Sequence, residues 1–366
     1  MIRRPVRSAV VATLLIIAIV LFFSSNSQHV LQPELFLSGA SGPRLPGPED
    51  DGFLCKQHGF SPYRQQRRKV YDLILFNHEL DWLEVRLNTL SPYVDYFIIV
   101  EGKKSFTNLP KDTVLQNNWS NFTAFHSQML NYVVDDTVVS QRSWDHEDFF
   151  RNAMLYNTFP HMRGGEKEAK EGDVLVVSDI DEIPKPETMI LLRQCEFPAR
   201  LTLRSHFYYY SFQWLHRGEQ WAHPQATTYR GMQNTISPVN LRNGDGGPAW
   251  RLLPFIRPLQ RWWQKDDLWS STWHCSSCFA TIDELQTKLE RFSHTPWNTK
   301  ENRDPETIVE RVRNGLDLFG RELELYDKVD QNQDVPQHVL RNPEKYGYLL
   351  DRDGPDAAFR DYPSES

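Results

Sequence analysis

Mainly apolar runs alternate with helically spaced leucines through the middle of the chain. Val70 to Phe76 is a short run suited to a buried strand. Glu79 to Leu90 then carries Leu80, Leu83, Leu87 and Leu90 at helical spacing, and Ser91-Pro92 ends that helix. Val94 to Val100 is a second buried run, closing on Glu101. Asn131 to Val134 is a weaker strand candidate, and Glu147 to Phe159 reads as a helix. Asp173 to Val177 is a strongly apolar strand that runs into the acidic cluster Ser178-Asp179-Ile180-Asp181-Glu182. Strands buried on both faces and separated by helices predict an α/β domain: a mostly parallel sheet with helices on both faces. Residues 201–280 are dense in aromatic and basic groups, and their pattern orders no strands. Asp283 to Phe292 and Pro305 to Phe319 read as helices, the second opened by Asp304 as N-cap with Pro305 at its first position.

The N-terminus has a different pattern. Arg3, Arg4 and Arg7 precede a stretch from Ala9 to Phe23 that is apolar apart from Thr13. As a helix it reaches about 22 Å, short of the ~30 Å hydrocarbon core. The arginines favour a type II signal anchor with its positive end in the cytosol; a cleaved signal peptide, ending near Ser25-Asn26-Ser27, is the alternative. Either places the remainder in the lumen of the secretory pathway. Residues 24–66, rich in Pro, Gly and Ser, read as a flexible stem. The expected layout is a cytosolic tail over 1–8, an anchor over 9–23, the stem over 24–66, a lumenal catalytic domain over 67–350 and an irregular tail over 351–366.

Composition adds little except in two places. A net charge of −7 over 366 residues gives no basic surface for nucleic acid. The 11 Trp, 14 Tyr and 21 Phe supply flat faces on which sugar rings can stack, although most such rings serve as core. Asn118-Trp119-Ser120 and Asn121-Phe122-Thr123 are acceptor sequons for N-glycosylation. Cys55, Cys195, Cys275 and Cys278 form an even set, compatible with disulfides.

The acidic cluster carries the chemistry. A buried parallel strand delivers Asp179 and Asp181 at its C-terminal end, where open α/β sheets bind ligands. Alternate residues of an extended segment point the same way, so both carboxylates are expected to face one cation. Mn²⁺ or Mg²⁺ takes one or two carboxylates together with substrate phosphates. Bound there, it would neutralise a diphosphate leaving group. A solvated acidic turn is the bland reading, and an aspartate-nucleophile phosphatase a sharper one. In that class the motif sits on the first strand, whereas here other strands precede it. A glycosidase needs two carboxylates facing each other across a sugar, not two acids on one turn.

Asn77-His78-Glu79-Leu80-Asp81, Asp179-Ile180-Asp181-Glu182-Ile183-Pro184 and Trp273-His274-Cys275-Ser276-Ser277-Cys278-Phe279 occur in this order. Together, over roughly Val70 to Tyr348, they resemble glycosyltransferase family 17. The resemblance implies a GT-A-type nucleotide-diphospho-sugar transferase in a Golgi or ER membrane. It further implies inverting transfer of N-acetylglucosamine from UDP-GlcNAc, in β-1,4 linkage, to a mannose of a glycoprotein N-glycan. Asp179 and Asp181 take the metal positions, with His274 as an added ligand from the far side. Glu182 is the first candidate for general base, beside Asp181 at the catalytic centre, with Asp245, Asp266 and Asp267 behind it. Phe76, Asn77 and Glu101 end strands where such folds hold the nucleotide, and Arg151 is placed to reach the diphosphate. Tyr209 and Trp214 are the acceptor-side aromatics. Cys275 and Cys278 read as structural disulfide cysteines, joined to each other or bridging to Cys55 and Cys195; zinc would need four ligands, and no second pair exists. A non-catalytic lumenal glycan-binding protein on the same scaffold is the alternative, distinguished by whether a UDP-sugar is turned over.

Overall fold

The computed structural model describes residues 13–17, 29–39, 42–44, 52–246 and 262–363. Residues 13–17 are helical. The rest of the expected anchor lies outside the described residues, among which no helix is long and apolar enough to cross a membrane.

The central elements, in chain order, are β1 (Val70–Phe76), α1 (Leu80–Leu90), β2 (Tyr96–Gly102), β3 (Met129–Val134), α2 (Ser143–Tyr156), β4 (Val174–Asp179), β5 (Glu182–Pro184), α3 (Pro186–Gln194), β6 (Arg200–Tyr209), β7 (Ser211–His216), β8 (Gln225–Thr228), α4 (Pro238–Arg242), β9 (Lys265–Ser276), α5 (Ile282–Arg291), α6 (Pro305–Arg313) and β10 (Tyr326–Lys328). Their order across the main sheet is β9-β6-β8-β4-β1-β2-β3. Strands β4, β1, β2 and β3 are parallel neighbours. β8 runs against both β4 and β6, and β9 returns to run parallel with β6. The sheet is therefore mostly parallel, as its sequence predicts, with one reversed strand at its middle.

Alternation along β1 shows why the sheet is covered on both sides. Val70, Ile74 and Phe76 join a core with α1 and α3, while Tyr71, Leu73 and Leu75 join another with α2. Both sets are almost wholly buried, so the strand reads as a continuous run. A third core fills the space between β6, β7, α5 and α6. α6 ends at Arg313 rather than near Phe319. Gly315 takes a left-handed conformation there (φ 61°), Gly315 N donates to Val312 O and Leu316 N to Arg311 O. Those bonds satisfy the last carbonyls and stop the helix.

The stem expected over 24–66 is packed wherever it is described. His29–Val30 pairs in parallel with Leu268–Trp269 on β9. Phe53–Gln57 is helical, Ser61–Pro62 pairs with Cys195–Glu196, and Cys55 is disulfide-bonded to Cys195. Proline and glycine break up regular elements but do not prevent burial: Leu31, Phe36, Leu54 and Phe60 all enter the core. The tail from 351 is irregular but also packed, with Arg352, Ala357 and Phe359 buried.

Candidate functional site

Strands β1, β2 and β4 end on the same edge of the sheet, and the acidic cluster lies there. Its backbone is held by one side chain that sequence analysis missed. Arg86, on the buried face of α1, is fully enclosed and pairs with the equally enclosed Asp72 of β1 (Nε–Oδ2 2.7 Å, Nη2–Oδ1 2.7 Å). Its Nη1 donates to the carbonyls of Asp179 (3.1 Å), Ile180 (3.2 Å) and Glu182 (2.8 Å), and Nη2 also meets Ser178 Oγ. A planar fork with five donors suits this task. The signal was available: a charge on the apolar stripe of a helix, opposite a charge inside an apolar strand.

The acids do not act as the simple alternation rule requires. Residues 180 and 181 form a turn between β4 and β5, so Asp179 and Asp181 diverge. Asp179 accepts from Arg151 Nη1 and Arg242 Nη2, each at 2.9 Å. Burial opposes its ionisation, but the two guanidinium groups outweigh that and hold its carboxyl below the ordinary value. Arg242 has no signal in the sequence; α4 brings it in.

Glu182 is 1 % exposed and fully engaged. It accepts from Arg242 (2.7 and 3.1 Å), from the backbone of Asp179 (2.9 Å) and from Trp221 Nε1 (2.9 Å). Burial again opposes its charge, and Arg242 more than compensates, holding it well below the usual carboxylate range. A carboxylate so filled is a poor proton acceptor, which corrects its expected role as general base. The other three base candidates lie elsewhere. Asp266 pairs with His29 and Asp267 with Arg204, both at the start of β9, whereas His274 lies near its end. Asp245 follows α4, and its carbonyl accepts from Arg200 at the start of β6.

Asp181 and His274 converge instead. β5 pairs with β9, setting His274 opposite Glu182, and the backbone of Cys275 donates to Asp181 O. His274 Nε2 lies 3.8 Å from Asp181 Oδ1, while Lys288 Nζ of α5 lies 3.3 Å from Oδ2. No group of three or more His, Cys, Asp or Glu side chains converges as a metal site among the described residues. The expected trio of Asp179, Asp181 and His274 thus contracts to a carboxylate and an imidazole. That pair still fits a divalent cation that takes its remaining ligands from phosphate and water.

At the ends of β1 and β2, Phe76 and Asn77 line a small cavity with Gly102, Phe106, Lys111 and Phe150. Among the described residues, the Oδ1 of Asn77 is buried without a partner, as are both ring nitrogens of the adjacent His78, whose ring stacks on Phe279. Glu101 does not join them. It is enclosed and accepts from the backbone of Leu115 (2.9 Å) and Gln116 (3.3 Å), capping the short helix Val114–Asn117. Arg151, by contrast, is drawn into the site by Asp179 and Glu147.

The acceptor-side aromatics are corrected too. Tyr209 and Trp214 are 3 % and 8 % exposed and belong to the third core, which leaves neither ring a free face. Among the sequon residues, Asn121 is exposed, whereas Asn118 is half-buried and donates to Val114 O. Cys275 and Cys278 are bonded to each other, which resolves the alternatives in favour of the short bridge.

The sequence profile of glycosyltransferase family 17 matches residues 48–237 and 263–355. The beta-1,4-mannosyl-glycoprotein 4-beta-N-acetylglucosaminyltransferase of Homo sapiens is 24% identical over 314 residues, covering 79% of this chain and 56% of the relative. The protein of the same name from Rattus norvegicus is 24% identical over 314 residues, with 79% and 55% covered. The chain thus spans about half the length of the curated relatives it matches. A solved structure, mannosyltransferase PcManGT from Pyrobaculum calidifontis in complex with GDP-Man and Mn2+, overlaps with a TM-score of 0.26 at 13% identity, over 40% of this chain and 38% of that one. That overlap is too slight to bear on the fold.

Proposed function

Because the chain belongs to glycosyltransferase family 17, we propose that it transfers N-acetylglucosamine from UDP-GlcNAc, by inversion, to a mannose of a glycoprotein N-glycan. The β-1,4 linkage and the class of acceptor follow the names of its relatives. The fold proposed is of the GT-A type. The observation that carries the reading is the convergence of Asp181 and His274 on the turn that follows β4, at the edge of the sheet where β1 and β2 also end. Asp181 and His274 would hold Mn²⁺ or Mg²⁺, which when bound neutralises charge on the departing diphosphate.

The chain's own residues divide the remaining work. Arg86 fixes the turn that carries Asp181. Lys288, next to Asp181, supplies one positive charge for the diphosphate, and Arg151 a second. Asn77, which lines the cavity, offers an unpaired polar atom to the nucleotide. Glu182 positions Arg242 and Trp221 rather than moving a proton. With both disulfides formed and no free cysteine, the chain suits an oxidising compartment, and we place it in the lumen of the Golgi or ER, held to the membrane through residues 9–23. The test is incubation of the purified protein with a panel of nucleotide sugars, Mn²⁺ and a biantennary N-glycan, followed by linkage analysis. Metal-dependent transfer from UDP-GlcNAc with a β-1,4 product is expected. An α-linked product, or transfer only from another nucleotide sugar, would refute the reaction; no turnover of any donor would favour a glycan-binding protein.

A further inference from the structure

We propose that Trp221, backed by Phe207, is the stacking platform for the acceptor sugar. The proposal rests on the glycosyltransferase reading and assigns the acceptor side of that site. Most aromatic rings of β6 to β10 are core, yet Trp221 is 38% exposed beside the catalytic cluster. Its ring centroid lies 5.3 Å from that of His274 and 5.8 Å from that of Phe207, which is itself stacked on His274 at 4.9 Å.

An exposed ring is useful for recognition only if it does not swing, and this one is tied at both ends. Its Nε1 donates to Glu182 Oε1 at 2.9 Å, and its backbone exchanges two 3.0 Å hydrogen bonds with Ser205 of β6. A buried, charged carboxylate as the partner makes that anchor strong. A pyranose presents a face of C–H groups, and a fixed indole offers it apolar contact at small entropic cost. The occupant is the acceptor rather than the donor because of place. The nucleotide cavity lies at the ends of β1 and β2, whereas Trp221 is paired with Ser205 of β6, with β8 and β4 between.

The test is binding of a biantennary N-glycan, followed by saturation-transfer NMR in the presence of UDP and Mn²⁺, with acceptor and donor KM measured in parallel. In Trp221→Ala, glycan binding should weaken at least tenfold and acceptor KM rise by a similar factor, with donor KM changed less than twofold. Trp221→Phe, which keeps a ring but loses the anchor, should fall between. Trp263→Ala, which removes a ring 63% exposed just ahead of β9, should match the parent protein. Equal glycan binding by Trp221→Ala and parent, or no saturable binding to the parent, overturns the platform. Trp221-dependent glycan binding without transfer from UDP-GlcNAc would overturn only the reaction proposed above.

Discussion

The two halves of the sheet are built on different principles. β1 to β4 are parallel and nearly featureless in chemistry, with charge admitted only as the enclosed Asp72–Arg86 pair and as Glu101 and Asp179 at strand ends. β6 to β10 run in both directions, carry register shifts at Leu203/Ser205 and Tyr208/Tyr209, and crowd His, Tyr and Trp rings together. The acids of the site sit where the halves meet. One half supplies a rigid support for the turn together with Arg151, and the other supplies the imidazole, Arg242, Lys288 and the exposed ring. Uniform burial gives a fixed frame, and irregular pairing gives varied side chains.

Four changes would break or sharpen that contrast. The largest effect is expected from Arg86→Met, which leaves Asp72 buried without its partner and should cost about 3–5 kcal/mol in urea unfolding. Asp72→Leu combined with it should restore much of the loss; an unrestored double variant would mean that the clamp on the turn matters more than the pair. Asp181→Asn should leave the midpoint of thermal unfolding nearly unchanged while lowering transfer on the order of 10³-fold, about 4 kcal/mol. Full activity with Asn, or in excess chelator, would remove the metal from the scheme. Within the mixed half, Cys275→Ser with Cys278→Ser should cost about 2 kcal/mol, because a bridge of sequence separation 3 constrains the unfolded chain little.

The smallest effect separates the meeting line from the sheet edge by pH. Asp179 and Glu182 are held below their ordinary values, so their contribution is present above the unfolded values of about 3.9 and 4.3 and is lost only as pH falls through the lower folded ones. His29 is raised, chiefly by its hydrogen bond to Asp266. Its contribution is complete below about 6.5 and fades as pH rises through the higher folded value, by less than ~1 kcal/mol. The protection factor of the Leu31 amide, which removes the intrinsic rise of exchange with pH, should therefore be lower at pH 8 than at pH 6, with that of Asp179 unaffected. An unchanged protection factor at Leu31 would show that the His29–Asp266 contact does not hold the segment.

Legibility followed the same divide. β1, β2 and β4 were readable because burial on both faces turns a strand into an apolar run, and the acidic cluster was readable because it ends one. The pairing of Asp181 with His274 was not, since it depends on a turn at Ile180 and on the antiparallel pairing of β5 with β9. Tyr209 and Trp214 were singled out from a sequence crowded with rings, and only packing shows that both are core while Trp221 is exposed. Glu182 looked available as a base because its partners, Arg242 and Trp221, come from segments 60 and 39 residues away. Arg86 could have been found, as a cation on the buried stripe of α1.

The long outer strand β9 has an unusual fate. One flank pairs with β6, and the other is covered in two places, by His29–Val30 at Leu268–Trp269 and by β5 at Thr272–His274. An uncovered strand end is a template on which further chains can add. Trimming the chain to begin after Leu31 would strip the first cover and expose the Leu268–Trp269 stretch as a free edge. Self-association should then rise and expression yields fall, although every residue of the site is kept.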